Sequence, residues 1–124
     1  MLNDLNKKAC EAFVSRDYLS SLLAFEVMER LFDELSKQDN GPAQTFACLE
    51  EKARCVFNQA ACLYCLGAIE NAMLRSKKAT DLYEDTYDAS PMEAGLHDCI
   101  YPPLYRQIEL LKMGGAEVSC HIIE

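Results

Sequence analysis

Apolar residues recur along this chain at intervals of three and four, the spacing of helices that each bury one face, and Gly, Pro and Asn break the rhythm at only a few points. Leu2, Leu5, Ala9, Ala12 and Phe13 predict a first helix over residues 2–15. A polar break at Ser15-Arg16-Asp17-Tyr18 follows, in which Asp17 is placed to cap a second helix. Leu19, Leu22, Leu23, Val27, Leu31 and Leu35 form an apolar stripe that carries this helix to about Lys37. At Gln38-Asp39-Asn40-Gly41-Pro42 the pattern stops, since Asn and Gly suit a left-handed helix end and Pro prevents continuation. From about Ala43 it resumes through Phe46, Leu49, Ala53, Val56, Ala60, Leu63 and Leu66, and ends at Gly67. A fourth helix runs from Ile69 to about Tyr87, carrying Ala72, Met73, Ser76, Ala79, Leu82 and Tyr83, until Asp88-Ala89-Ser90-Pro91 closes it.

The prediction is all-α and a single domain over 1–124, with a first hairpin at 1–37 and a second at 44–88. Residues 91–113 read as an irregular segment followed by a capping helix on Leu104, Ile108 and Leu111, and residues 114–124 as a tail.

Small residues gather where the helices of the second hairpin must touch. Asn58-Gln59-Ala60-Ala61-Cys62-Leu63-Tyr64-Cys65-Leu66-Gly67, followed by Ala72, Ala79 and Leu82, resembles the tetratricopeptide repeat (TPR). The subtype is that of co-chaperones, whose motif runs Asn-Arg-Ala-Ala-x-x-x-x-Leu-Gly, then Ala, then Ala. A second copy lies in residues 9–18 with Ser21, Phe25 and Met28, although Arg16 stands where the family prefers Gly. Ala9 aligns with Ala60, 51 positions on. The family's repeat is about 34 residues, so roughly 17 extra residues lengthen the second and third helices and the loop at Gly41. The resemblance covers about residues 2–37 and 51–84. It implies an α-solenoid of TPR-like antiparallel helical hairpins, two units with elongated helices plus a C-terminal capping helix. Ala60, Ala72 and Ala79 are then packing positions, because helices approach closely only over short side chains.

In this family the first helix of each hairpin lines a concave face that holds a partner. Carried over position by position, the resemblance assigns to that face Asn3, Asn6, Cys10, Phe13 and Val14 from the first unit. From the second it assigns Arg54, Phe57, Asn58, Ala61, Tyr64 and Cys65. Co-chaperone members grip a chaperone's C-terminal carboxylates with Lys and Asn in the first unit and Asn in the second. Here Asn6 stands at the Lys position and Cys10 at the first Asn position, and only Asn58 is retained. A carboxylate in a partly desolvated groove needs charge-assisted donors. The resemblance therefore implies an adaptor or scaffold that binds a peptide or helix of another protein, with a ligand other than a chaperone tail. Phe13 and Tyr64 suit groove lining and core filling equally, while Phe57 suits the core. The alternative is a structural subunit that covers its exposed solenoid faces as a homodimer or within a larger complex.

The formal charge is −8, from 20 acids against 12 bases, with no basic run. That balance argues against nucleic acid and anionic membrane as partners. Glu26, Glu29, Asp33, Glu34, Glu50, Glu51, Asp81, Glu84 and Asp85 read as a solvated outer face. No apolar run approaches a membrane span, and the N-terminus lacks a signal-peptide pattern, so a cytoplasmic or nuclear setting is expected, with thiols rather than disulfides.

Seven cysteines invite a metal reading that their spacing does not support. Cys62-x-x-Cys65 has no partner pair, and Cys48, Cys55 and Cys62 recur every seventh residue as a helical stripe suited to packing. His97 and Cys99 with Cys120 and His121 form the one constellation able to supply four ligands, but not at the spacing of a standard finger. With two histidines and no Gly-rich phosphate loop, the sequence predicts neither cofactor nor enzyme.

Overall fold

The computed structural model describes residues 2–38, 41–89 and 122. Four helices follow one another, α1 (Leu2–Val14), α2 (Tyr18–Ser36), α3 (Pro42–Cys65) and α4 (Ile69–Ala89), with no strand among the described residues. Each packs on its neighbour in sequence, and the α2–α3 and α3–α4 contacts are broader than α1–α2. At about 1.5 Å of rise per residue, α2 with 19 residues and α3 with 24 stand about 28 and 36 Å tall, so the middle hairpin is the longest part of the structure. The proposed capping helix and tail lie outside the described residues. Ile122 alone is described there, half-buried against the α1–α2–α3 cluster.

Local chemistry sets the helix ends. Asp17 caps α2 by accepting the Ser20 N–H at 3.3 Å. The break at Gly41 is real, but Pro42 opens α3 rather than merely ending α2: a proline in the first helical turn lacks only an N–H that would have no helical partner there. Gly41, at φ +88°, supplies the reversal before it.

The two short turns are built alike. At the end of α1, the Ser15, Arg16 and Asp17 N–H groups donate to the carbonyls of Glu11, Phe13 and Ala12 at 3.0, 3.0 and 2.8 Å. At the end of α3, those of Leu66, Gly67 and Ala68 donate to Cys62, Tyr64 and Leu63 at 2.9, 3.0 and 2.9 Å. Each donor and acceptor of the second set lies 51 residues after its counterpart in the first. Both sets are the Schellman closure of a helix, which requires a left-handed residue just past the end. Arg16 fills that place at φ +66° and Gly67 at +87°.

Two clusters form the core. Ala9, Leu22, Phe25, Met28, Cys55 and Cys62 join α1, α2 and α3, while Ala53, Val56, Phe57, Ala60, Ala79 and Tyr83 join α3 and α4. α3 serves both, and residues 53–62 are buried without exception. Ala9, Ala60, Ala72 and Ala79 are all fully buried, as close-packing positions require.

The apolar stripe predicted for α2 is corrected. Leu19, Leu23 and Val27 are 57%, 54% and 36% exposed, whereas Ser21, Leu22, Phe25 and Met28 face inward. Ser21 decides the rotation. Its hydroxyl donates to the Ala9 carbonyl at 2.8 Å and accepts from the Cys62 thiol at 3.4 Å, which seats a small polar side chain where three helices meet.

Candidate functional site

The sequence-assigned residues lie on two helices, Asn6, Cys10 and Phe13 on α1 and Arg54, Asn58, Ala61, Tyr64 and Cys65 on α3. Asn6 and Arg54 are brought together directly, the Arg54 Nη1 donating to Asn6 Oδ1 at 3.1 Å. Arg54 also donates through Nε and Nη2 to Glu51 Oε2 at 3.0 and 2.8 Å. This two-pronged contact makes Glu51, half-exposed and absent from the assigned set, the charge partner of a buried guanidinium. The Arg side chain thus links α1 to α3 at their facing surfaces.

Exposure divides the remaining residues. Asn58 and Ala61 are fully buried and Arg54 is 4% exposed, whereas Asn6, Cys10, Phe13, Tyr64 and Cys65 each keep part of their surface in solvent. Phe13 stands edge-on to Tyr18 with ring centroids 5.3 Å apart and also packs on the α1–α2–α3 cluster. Tyr64 packs instead on the α3–α4 cluster, and Phe57 is core, 1% exposed. The two partly exposed aromatics therefore pack against different core clusters.

Two acids expected on a solvated face turn inward, Glu50 buried and Glu29 half-buried. Glu50 is 8% exposed, and its Oε2 is buried with no hydrogen-bond partner. Burial, with a smaller push from the Glu51 charge, raises its carboxyl to about 7. The signal was present in the spacing: Glu50 precedes Ala53, Arg54 and Phe57 by three, four and seven residues, in phase with the buried face of α3. Glu29 is the second. Its carboxylate accepts from Gln59 Nε2 at 2.8 Å and from Lys78 Nζ at 2.9 Å, tying α2 to both α3 and α4. Burial pushes this carboxyl up, but the Lys78 and Gln59 hydrogen bonds outweigh it and hold the group below its ordinary value. On the long hairpin Asp33 is likewise lowered, mainly by the Lys52 hydrogen bond across α2 and α3 at 2.8 Å and then by Lys37.

None of the described cysteines, Cys10, Cys48, Cys55, Cys62 and Cys65, is in a disulfide. Cys48, Cys55 and Cys62 are buried, and burial pushes Cys55 up to about 12 and Cys62 to about 11, which leaves them as packing groups rather than nucleophiles. No group of three His, Cys, Asp or Glu able to hold a metal occurs among the described residues. His97, Cys99, Cys120 and His121 lie outside them. No described helix is long and apolar enough to cross a membrane.

Comparison with protein-family models, curated proteins and solved structures returned no match.

Proposed function

We propose that this chain is a protein-binding module of two tetratricopeptide-like hairpins, with an extended peptide or helix of another protein seated along the side where α1 and α3 meet. The observation that carries the reading is the recurrence of one turn, donor for donor, at a spacing of 51 residues, with α1 and α3 in equivalent places of the two units. Stacked hairpins of this kind align their first helices into one continuous face. On that face Asn6, Cys10, Phe13, Tyr64 and Cys65 are the residues a ligand would touch. Phe13 and Tyr64 would act as its aromatic anchors, and the Asn6–Arg54–Glu51 bridge as its polar end.

The same set disfavours a carboxylate-terminated ligand. Asn58 is buried, and Arg54, the cation among the residues assigned to the face, is held by Glu51 and Asn6. The reading assigns no catalysis and no cofactor.

Affinity capture from the source cell with wild type, Asn6→Ala and Tyr64→Ala tests it. Loss of a shared partner in both variants at an unchanged melting temperature is the expected result. Identical captured sets would remove the α1/α3 face from consideration, and competition by a free chaperone-tail peptide would overturn the ligand class.

A further inference from the structure

On the side formed by α2 and α4, apolar side chains stand in solvent. Leu23 is 54% and Leu74 67% exposed, and the two are 51 residues apart, equivalent positions of the two units. Leu19 and Val27, each one turn from Leu23 along α2, continue the strip. Between the helices lies a cleft of about 330 Å³ lined by Glu26, Leu63, Asn71, Leu74 and Arg75. The Glu29–Lys78 ion pair at 2.9 Å bridges α2 and α4 one turn further along. Glu26 and Arg75 contribute opposite charges to the lining; among the described residues neither side chain makes a hydrogen bond or ion pair, and Arg75 acts only at a distance on the Glu29 carboxylate.

We infer that this surface is a self-association face whose occupant is a second copy of the chain, with Leu23 of each copy entering the other's cleft and Glu26 of each meeting Arg75 of the other. Charge selects the occupant. A chain of net −8 repels its own copy over most orientations, so a self-contact needs a region where the signs balance. Here the cleft is lined by Glu26 and Arg75, one acid with one base, and the neighbouring Glu29–Lys78 pair is balanced as well. Shape agrees with charge. A two-fold contact must be complementary to itself, and this face carries a projecting leucine strip and a leucine-floored cleft side by side. Burying the strip removes four large apolar side chains from water in each copy. The inference does not depend on the α1/α3 reading, which concerns the opposite edge of the hairpins.

Sedimentation equilibrium of the full chain, from nanomolar to hundred-micromolar concentration, is the test. Wild type is expected to form a reversible dimer, and Leu23→Glu with Leu74→Glu to weaken it on the order of a hundredfold without lowering the melting temperature of the monomer. Arg75→Glu alone should weaken the dimer about tenfold, and adding Glu26→Arg should restore it, because the exchanged charges face each other again. If the double leucine variant fails to fold by circular dichroism, the charge exchange decides alone. A wild type that stays monomeric throughout overturns the inference, including one that instead binds a foreign amphipathic helix through Leu23. A dimer indifferent to these changes, or lost in Arg75→Glu and not restored by the exchange, overturns it equally.

Discussion

At the α1–α2 turn Arg16 holds a left-handed backbone at φ +66°, and at the α3–α4 turn Gly67 does so at +87°, yet both close the same three carbonyls. Beneath these matched turns the units are filled differently. Phe25 and Met28 of α2 are buried where the equivalent positions of α4, Ser76 and Ala79, bury almost no volume. Position within the stack explains this. α2 packs between α1 and α3 and must fill space on both flanks, whereas α4, among the described residues, packs on α3 and comes close over short side chains while Phe57 and Tyr83 supply the bulk. The two turns thus share one backbone hydrogen-bond pattern, and side-chain volume distinguishes the helices beneath them.

The sharpest break in that comparison is Phe25→Ala. Removing a fully buried ring from the α1–α2–α3 cluster should lower stability by about 3–5 kcal/mol. The equivalent change Ser76→Ala should be neutral or stabilising by about 1 kcal/mol, because the Ser76 hydroxyl is buried with no hydrogen-bond partner and loses nothing when deleted. Urea denaturation of both variants measures the contrast. Equal losses would mean that the second unit, too, depends on bulk at this position.

Glu50 places a carboxyl on the buried face of α3, where no hydrogen bond to its Oε2 offsets the cost of burial. With the carboxyl raised from 4.5 to about 7 in the folded state, the folded chain holds the proton that the unfolded chain releases. Below pH 4.5 both states are protonated and there is no penalty; stability falls as pH rises from there to about 7, and the full penalty persists above. Glu50→Gln should raise stability by about 1–2 kcal/mol above that window and by almost nothing below it. Melting temperatures across the window check this, and a gain independent of pH would show that the carboxyl is not the group responsible. Glu29 and Asp33, lowered by their partners, carry the opposite sign: their contribution is present above the ordinary carboxylate range and fades on acidification through their lowered values.

The helices, their order and the capping role of Asp17 were legible because periodicity and breakers act locally. The inward face of α2 was not legible from apolar spacing alone. Leu19, Leu23 and Val27 form as good a stripe as Ser21, Phe25 and Met28, and only the resemblance to a repeat pointed to the second set. At the site, Asn6 and Arg54 were assigned to one face, and they do meet. That Asn58 and Ala61 would be buried could not be read, since a position on a helix face says nothing about how closely the neighbouring elements cover it. Glu50 differs from expectation for another reason: its charge points to water, but its helical phase sets it beside Ala53 and Phe57 on the buried face.

The turns themselves give the smallest effects and the cleanest comparison. A Cβ added at Gly67 would meet nothing within 4 Å, so Gly67→Ala has no clash to relieve and should cost only the left-handed conformation, about 1 kcal/mol. Arg16 already bears that cost at φ +66°. Arg16→Gly removes it but gives the unfolded chain more freedom to lose, worth about 0.5–1 kcal/mol in the other direction, so the net change should be a few tenths. Matched thermal melts of the two variants decide the matter. If Arg16→Gly stabilises by as much as Gly67→Ala destabilises, the first turn was carrying uncompensated strain. If it changes little, the Schellman hydrogen bonds fix the backbone at both turns, and the residue past the helix end only adjusts what that geometry costs.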